Sequence, residues 1–178
     1  MSRLRAALSP HPDTPCDVLS EAEVEAERNG AVLRLRWRLG GVSDALVWPS
    51  RSAGRTDFLW RRTCFEAFIQ APPDSGYLEL NHGDGAWAAY RFSGYRSGMG
   101  DAAIGPPELR VDPQKGVVEA RWTLNLPPDQ TWRLGVTMII EANDGRLSYW
   151  AISHPRDRPE FHDAAGWTLE VPANQIAV

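Results

Sequence analysis

From Glu21 to Leu39 the side chains alternate with a period of two. Glu21, Glu23, Glu25 and Glu27 are interleaved with Ala22, Val24 and Ala26; beyond Asn29-Gly30, Arg34, Arg36 and Arg38 are interleaved with Leu33, Leu35, Trp37 and Leu39. A helix scatters such a series around its circumference, whereas a strand puts one set on each face. Ser20-Glu21-Ala22-Glu23 would also serve as a helix capping box, but the strict alternation and the Asn-Gly dipeptide favoured by tight hairpin turns decide for two antiparallel strands.

The same punctuation recurs along the chain. Residues 45–48, 63–71, 77–81, 86–92, 109–111, 117–124, 132–142, 146–152 and 167–171 read as strands, with Gly83-Asp84-Gly85, Asp112-Pro113-Gln114-Lys115-Gly116 and Asn143-Asp144-Gly145 as turns. Regular turns without long helical periods predict an all-β fold: a two-sheet antiparallel β-sandwich of jelly-roll type, roughly five strands on five. Residues 1–18 read as a flexible N-terminal arm, 50–57 as a polar loop, and 19–178 as one domain, the size expected for 178 residues. The stretch 153–166 is long enough for a functional loop.

A formal charge of −4 and a pI near 5.6 exclude a nucleic-acid binder driven by bulk charge. Lys115 is the lone lysine among nineteen basic residues; arginine makes forked bonds to carboxylates and hydroxyls, and a GC-rich genome gives the same bias. Two cysteines, Cys16 and Cys64, make no disulfide framework and are expected as free thiols. The first residues lack the apolar run of a secretory signal, and no stretch approaches the roughly 20 apolar residues of a membrane span. The expectation is a cytoplasmic protein without a membrane partner; the oligomeric state stays open.

Catalytic signatures are weak. There is no Gly-x-Ser-x-Gly elbow, Cys64 lies mid-strand as a structural thiol would, and His82-Gly83-Asp84-Gly85 lacks the lysine and helix of a phosphate loop. Glu66 and Glu79 fall on neighbouring strands, a placement that glycosidase carboxylates share with chance pairs. His154 and His162, with Asp157 or Glu160, could bind a metal or could be solvated loop residues. Eight tryptophans are the compositional excess. Trp37, Trp122 and Trp132 sit within alternating strands as core residues, whereas Trp60, Trp87, Trp150, Trp167 and Phe161 lie at strand edges or in loops. There they either cap the interior or form platforms for a ligand read by nearby polar groups.

The order of several motifs resembles a known group. Leu59-Trp60-Arg61-Arg62-Thr63-Cys64-Phe65-Glu66-Ala67-Phe68-Ile69, then Tyr77-Leu78-Glu79-Leu80-Asn81 with Trp87-Ala88-Ala89-Tyr90-Arg91-Phe92, then Arg121-Trp122-Thr123-Leu124, Leu134 to Ala142, Tyr149 to Pro155, and Phe161-His162 before Gly166-Trp167-Thr168-Leu169 are similar to family-nine carbohydrate-binding modules and the wider DOMON-like group. The likeness spans about residues 20–172. It implies a non-catalytic module that holds a sugar, with Trp60 and Phe161 as platforms and Arg62, Glu66 and Arg158 as polar readers, near Trp150. Where the group has an arginine on the next strand, this chain has Glu79. Other DOMON-like domains carry haem on a methionine and a histidine or lysine; Met99 and His154 are the matching candidates, in which case haem is the cofactor. A third reading is a protein-interaction module with no small ligand.

Overall fold

The computed structural model describes residues 2–173. The outermost positions of the arm and the domain, 1 and 174–178, lie outside the described residues. Fourteen strands form among the described residues: β1 (Ser2–Pro10), β2 (Glu21–Asn29), β3 (Val32–Gly40), β4 (Leu46–Val47), β5 (Arg51–Arg55), β6 (Cys64–Gln70), β7 (Tyr77–His82), β8 (Asp84–Phe92), β9 (Gly100–Asp101), β10 (Glu108–Asp112), β11 (Val117–Thr123), β12 (Trp132–Ala142), β13 (Leu147–Ala151) and β14 (Leu169–Val171). Only short 3-10 turns interrupt them among the described residues. No helix there is long and apolar enough to cross a membrane.

The strands hydrogen-bond in the order β10-β11-β3-β2-β1-β13-β12-β6-β7-β8-β5. Two separate sheets were expected; β1 joins them into one. It pairs with β2 from Ser2 to Leu8 and then passes Ser9 and Pro10 to β13. The sheet curls until its inner face meets itself. Trp37 of β3 lies 5.6 Å from Phe65 of β6, and Trp122 of β11 lies 5.6 Å from both His82 of β7 and Trp87 of β8. All ladders are antiparallel except β5 with β8, which is parallel.

Residues 2–10 are thus a strand and not a loose arm. Arg3 and Arg5 stand opposite Glu27 and Glu25 and pair with them, while Leu8 enters the core. The Ala6-Ala7 step blurred the alternation in the sequence, and the strand ends at Pro10. The segment 50–57, read as a loop, contains β5, whose exposed side chains hide it because the strand is held through its backbone.

The expected hairpin forms, with Asn29 opposite Val32, so that Gly30 (φ 58°) and Ala31 make the turn. Its inner face buries Leu33, Leu35 and Trp37, and its outer face pairs Glu23, Glu25 and Glu27 with Arg38, Arg36 and Arg34. Trp37, Trp122 and Trp132 are fully buried, as expected. Each such ring removes on the order of 200 Å² from water, roughly 5 kcal/mol of driving force at about 25 cal/mol per Å². Trp150 and Trp167 are buried as well, which decides for them between capping the interior and forming a platform. Cys16 and Cys64 are unpaired.

A candidate ligand cleft on the outer face of the sheet

The 63–71 and 77–81 segments form the expected hairpin, with Glu66 opposite Asn81 and Phe68 opposite Glu79. Alternation sends Phe65 and Ala67 into the core. It therefore turns Cys64, Glu66 and Phe68 outward, alongside Tyr77, Glu79 and Asn81 of β7. Three loops cover this outer face: the turn Leu59–Arg61, the 93–99 segment, and the long 153–168 loop. Between them lies a cleft of about 330 Å³, walled by Trp60, Phe68, Tyr149 and Phe161 and reaching Glu66 and Glu79 at its floor.

The loops are pinned by packing and by charge. Trp167 stacks on Phe68 at 5.9 Å and donates its indole N–H to the Phe161 carbonyl at 2.9 Å. The Arg96 guanidinium grips Glu160 (2.8 Å at its shortest), and Tyr95 donates to the same carboxylate at 3.0 Å. Arg96 (φ 49°) and Phe58 (φ 64°), two residues before Trp60, are the non-glycine residues with left-handed backbone among those described. Such conformations are held only where surroundings impose them, and they cluster at ligand sites.

The floor is polar and buried. Glu66 is 2% exposed. Its Oε2 accepts from Thr137 at 3.4 Å, while its Oε1 has no hydrogen-bond partner. Burial, reinforced by the charge of Glu79, pushes the Glu66 carboxyl well above the ordinary range. Glu79 is also raised by burial, against the Asn81 amide that donates to it at 2.8 Å and the charge of Arg96. The Arg96 backbone N–H donates to the Tyr77 hydroxyl at 3.2 Å, and that hydroxyl is hydrogen-bonded to His162 Nδ1 at 2.8 Å. His162 Nε2 lies 3.6 Å from Glu79. Burial, with Arg96 nearby, lowers the His162 pKa to about 4, so the ring is neutral near pH 7.

His82, behind the sheet, is neutral for a related reason. Its Nε2 accepts from Trp122 at 2.6 Å and its Nδ1 lies 2.6 Å from the Phe65 carbonyl, while burial lowers its pKa to about 4. A histidine depressed in the fold is protonated first in the unfolded chain, so stability falls as pH drops from about 6.5 toward 4. Each ring contributes up to roughly 3 kcal/mol to that loss. Glu66 and Glu79 act in the opposite direction, since the fold keeps protons that the unfolded chain releases. His162→Gln cannot titrate and should flatten the acid limb of a melting-temperature profile; an unchanged limb would show that His162 titrates as a free ring.

Of the residues singled out in the sequence, Trp60, Glu66, Glu79 and Phe161 come together at this cleft, and Trp60 is half-buried. Arg62, Trp150 and Arg158 do not. The 3-10 turn ends at Arg62, so strand parity does not extend back to it, and it pairs with Glu141 at 3.2 Å on the surface. Trp150 points inward beside Met138; its neighbour Tyr149 has the outward parity and lines the cleft. Arg158 is exposed and Pro159 takes the lining position.

Met99 is at the cleft, but His154 is not: its Nε2 meets the Ser9 carbonyl at 2.8 Å and its ring lies 5.0 Å from His11. The Met99–His154 pair suggested for haem is not assembled. Nor do His154 and His162 meet around Asp157 or Glu160, and no metal-binding cluster of three or more side chains occurs among the described residues. Arg96, Tyr77 and Asn81 were not singled out in the sequence. Asn81 shares the parity of Glu79, a signal that was available; Arg96 sits in a Gly-rich segment that gives none.

The molecule is therefore an all-β protein with an aromatic-walled, carboxyl-floored cleft on the outer face of a curled sheet. Its fold is similar to that of a Bacteroides uniformis protein provisionally described as carbohydrate-binding, at TM-score 0.63 and 14% identity over 91% of this chain and 84% of that one. A family-9 carbohydrate-binding module from Caldicellulosiruptor kristjanssonii, in complex with cellotriose, aligns with 74% of this chain and 64% of its own at TM-score 0.40 and 12% identity. No family profile and no curated protein sequence matches the chain.

Proposed function

We propose that this protein is a non-catalytic carbohydrate-binding module whose ligand lies in the cleft, with Trp60 and Phe161 as platforms and Glu66 and Glu79 as hydroxyl readers. The observation that carries the reading is the buried, unpartnered Glu66 Oε1 at the base of aromatic walls. An acceptor left without a partner inside a protein costs about 1–3 kcal/mol, and a ligand hydroxyl is a donor that relieves it. Aromatic faces meanwhile accept the apolar face of a sugar ring. A binding role fits better than hydrolysis. Glycosidase carboxyls flank the scissile bond from two sides, whereas Glu66 and Glu79 project from adjacent strands on the same face. The provisional description of the Bacteroides uniformis protein agrees in class, but the likeness is one of fold.

The test is a thermal-shift and calorimetric screen against mono- and disaccharides, repeated on Trp60→Ala. Because Trp60 is half-buried in a turn, its removal should cost about 1–2 kcal/mol, less than the roughly 3–5 of a core tryptophan. Ligand-induced stabilisation should vanish. If the variant binds sugars like the wild type, Trp60 is no platform.

A further inference from the structure

Two buried acceptors without partners lie on the outer face of the β6–β7 hairpin, Glu66 Oε1 and Asn81 Oδ1. Their residues stand opposite one another in register, and Glu79 is two residues from Asn81 on the same face. Glu66 and Glu79 therefore place two carboxyl groups at the floor, where the Cys64 thiol on the same face is only a weak donor to Glu66. The guanidinium that lines the cleft, Arg96, is already held by Glu160, and the neighbouring histidine, His162, is neutral.

We infer that the cleft takes an amino sugar, with its primary ammonium seated against Glu66 and within reach of Glu79. The inference rests on the carbohydrate reading of the same cleft. A hydroxyl brings one donor to this floor, whereas an ammonium brings three, and the Glu66 and Glu79 carboxyl oxygens that reach the cleft can share them. The ammonium's charge also favours the ionised form of the carboxyl it meets, the form that burial alone disfavours, and hydrogen bonds between ionised partners are roughly twice as strong as neutral ones. The rings of Trp60, Phe68 and Phe161 add a second attraction, since aromatic faces draw cations. Arg96 opposes a cation only weakly because Glu160 balances its charge.

The experiment is calorimetric titration near neutral pH with matched sets: glucosamine, galactosamine and mannosamine, their parent hexoses, and their N-acetyl derivatives. One free amine should bind about tenfold to a hundredfold more tightly than both its hexose and its neutral N-acetyl form. Glu66→Gln is isosteric and removes a carboxyl that burial disfavours, so it should fold at least as well, as circular dichroism would verify, and it should erase the preference. A hexose bound as tightly as its amine overturns this inference and leaves the carbohydrate reading standing. So does a preference that persists in Glu66→Gln. Binding of cyclohexylamine with no sugar bound, or no binding at all, overturns both.

Discussion

Replacing Arg28 with alanine should lower the unfolding free energy by about 3–5 kcal/mol, the cost of leaving buried polar groups uncompensated. Arg28 is wholly buried. Its Nε donates to the Gly30 carbonyl at 2.9 Å, Nη1 to those of Gln130 and Val171 at 2.7 and 3.1 Å, and Nη2 to those of Pro127 and Pro128 at 3.3 and 2.8 Å. The guanidinium lies 3.5 Å from the centre of the Trp132 ring. Five donors of one planar group thus tie the β2–β3 turn, the 127–130 loop and β14 together. Lysine keeps the charge but has three donors and no fork. Arg28→Lys should therefore also destabilise, by about 2 kcal/mol or more. Urea denaturation measures both, and an Arg28→Lys midpoint equal to that of the wild type would show that the fork is dispensable.

Gly135→Ala should destabilise the fold by about 3 kcal/mol, the upper range for overpacking a filled core, and should weaken the cleft in the same step. A Cβ at Gly135 would run into Cδ1 of Trp167 and lie 2.8 Å from its Cγ and Nε1. That contact is forbidden, and the indole is not free to move. It is buried, stacks on Phe68, meets Tyr77 edge-on at 4.9 Å and anchors the Phe161 carbonyl. Shifting it unseats the loop that carries Phe161 and His162. Near-ultraviolet circular dichroism and sugar binding should change together with stability. A variant that unfolds within about 0.5 kcal/mol of wild type, as an ordinary surface substitution does, would contradict the close contact.

These two residues show where sequence reading reached and where it stopped. Arg28 has the parity of Ala22, Val24 and Ala26, so alternation alone aims a charged residue at the interior. What satisfies it there, carbonyls from residues about a hundred positions away, is invisible in the hairpin. Gly135 sits in the middle of a long apolar strand, and nothing local marks it as the place where a distant indole lies against the backbone.

The chain's alternation and turn dipeptides determined by themselves that this is an all-β protein, which side chains of β2, β3 and β6 face inward, and that Trp60 and Glu66 stand beside one strand. Those properties are local: period-two side-chain direction and left-handed turn positions depend on neighbours a few residues away. Tertiary structure alone decided that β1 would fuse the halves into one curled sheet, that Tyr149 and not Trp150 would face outward, and that Arg96, Tyr77 and His162 would gather beside Glu79. Each of those outcomes rests on register or loop packing between residues far apart in sequence. A shift of one residue in register exchanges the two faces of a strand, and that register is set by partners the strand's own sequence does not contain.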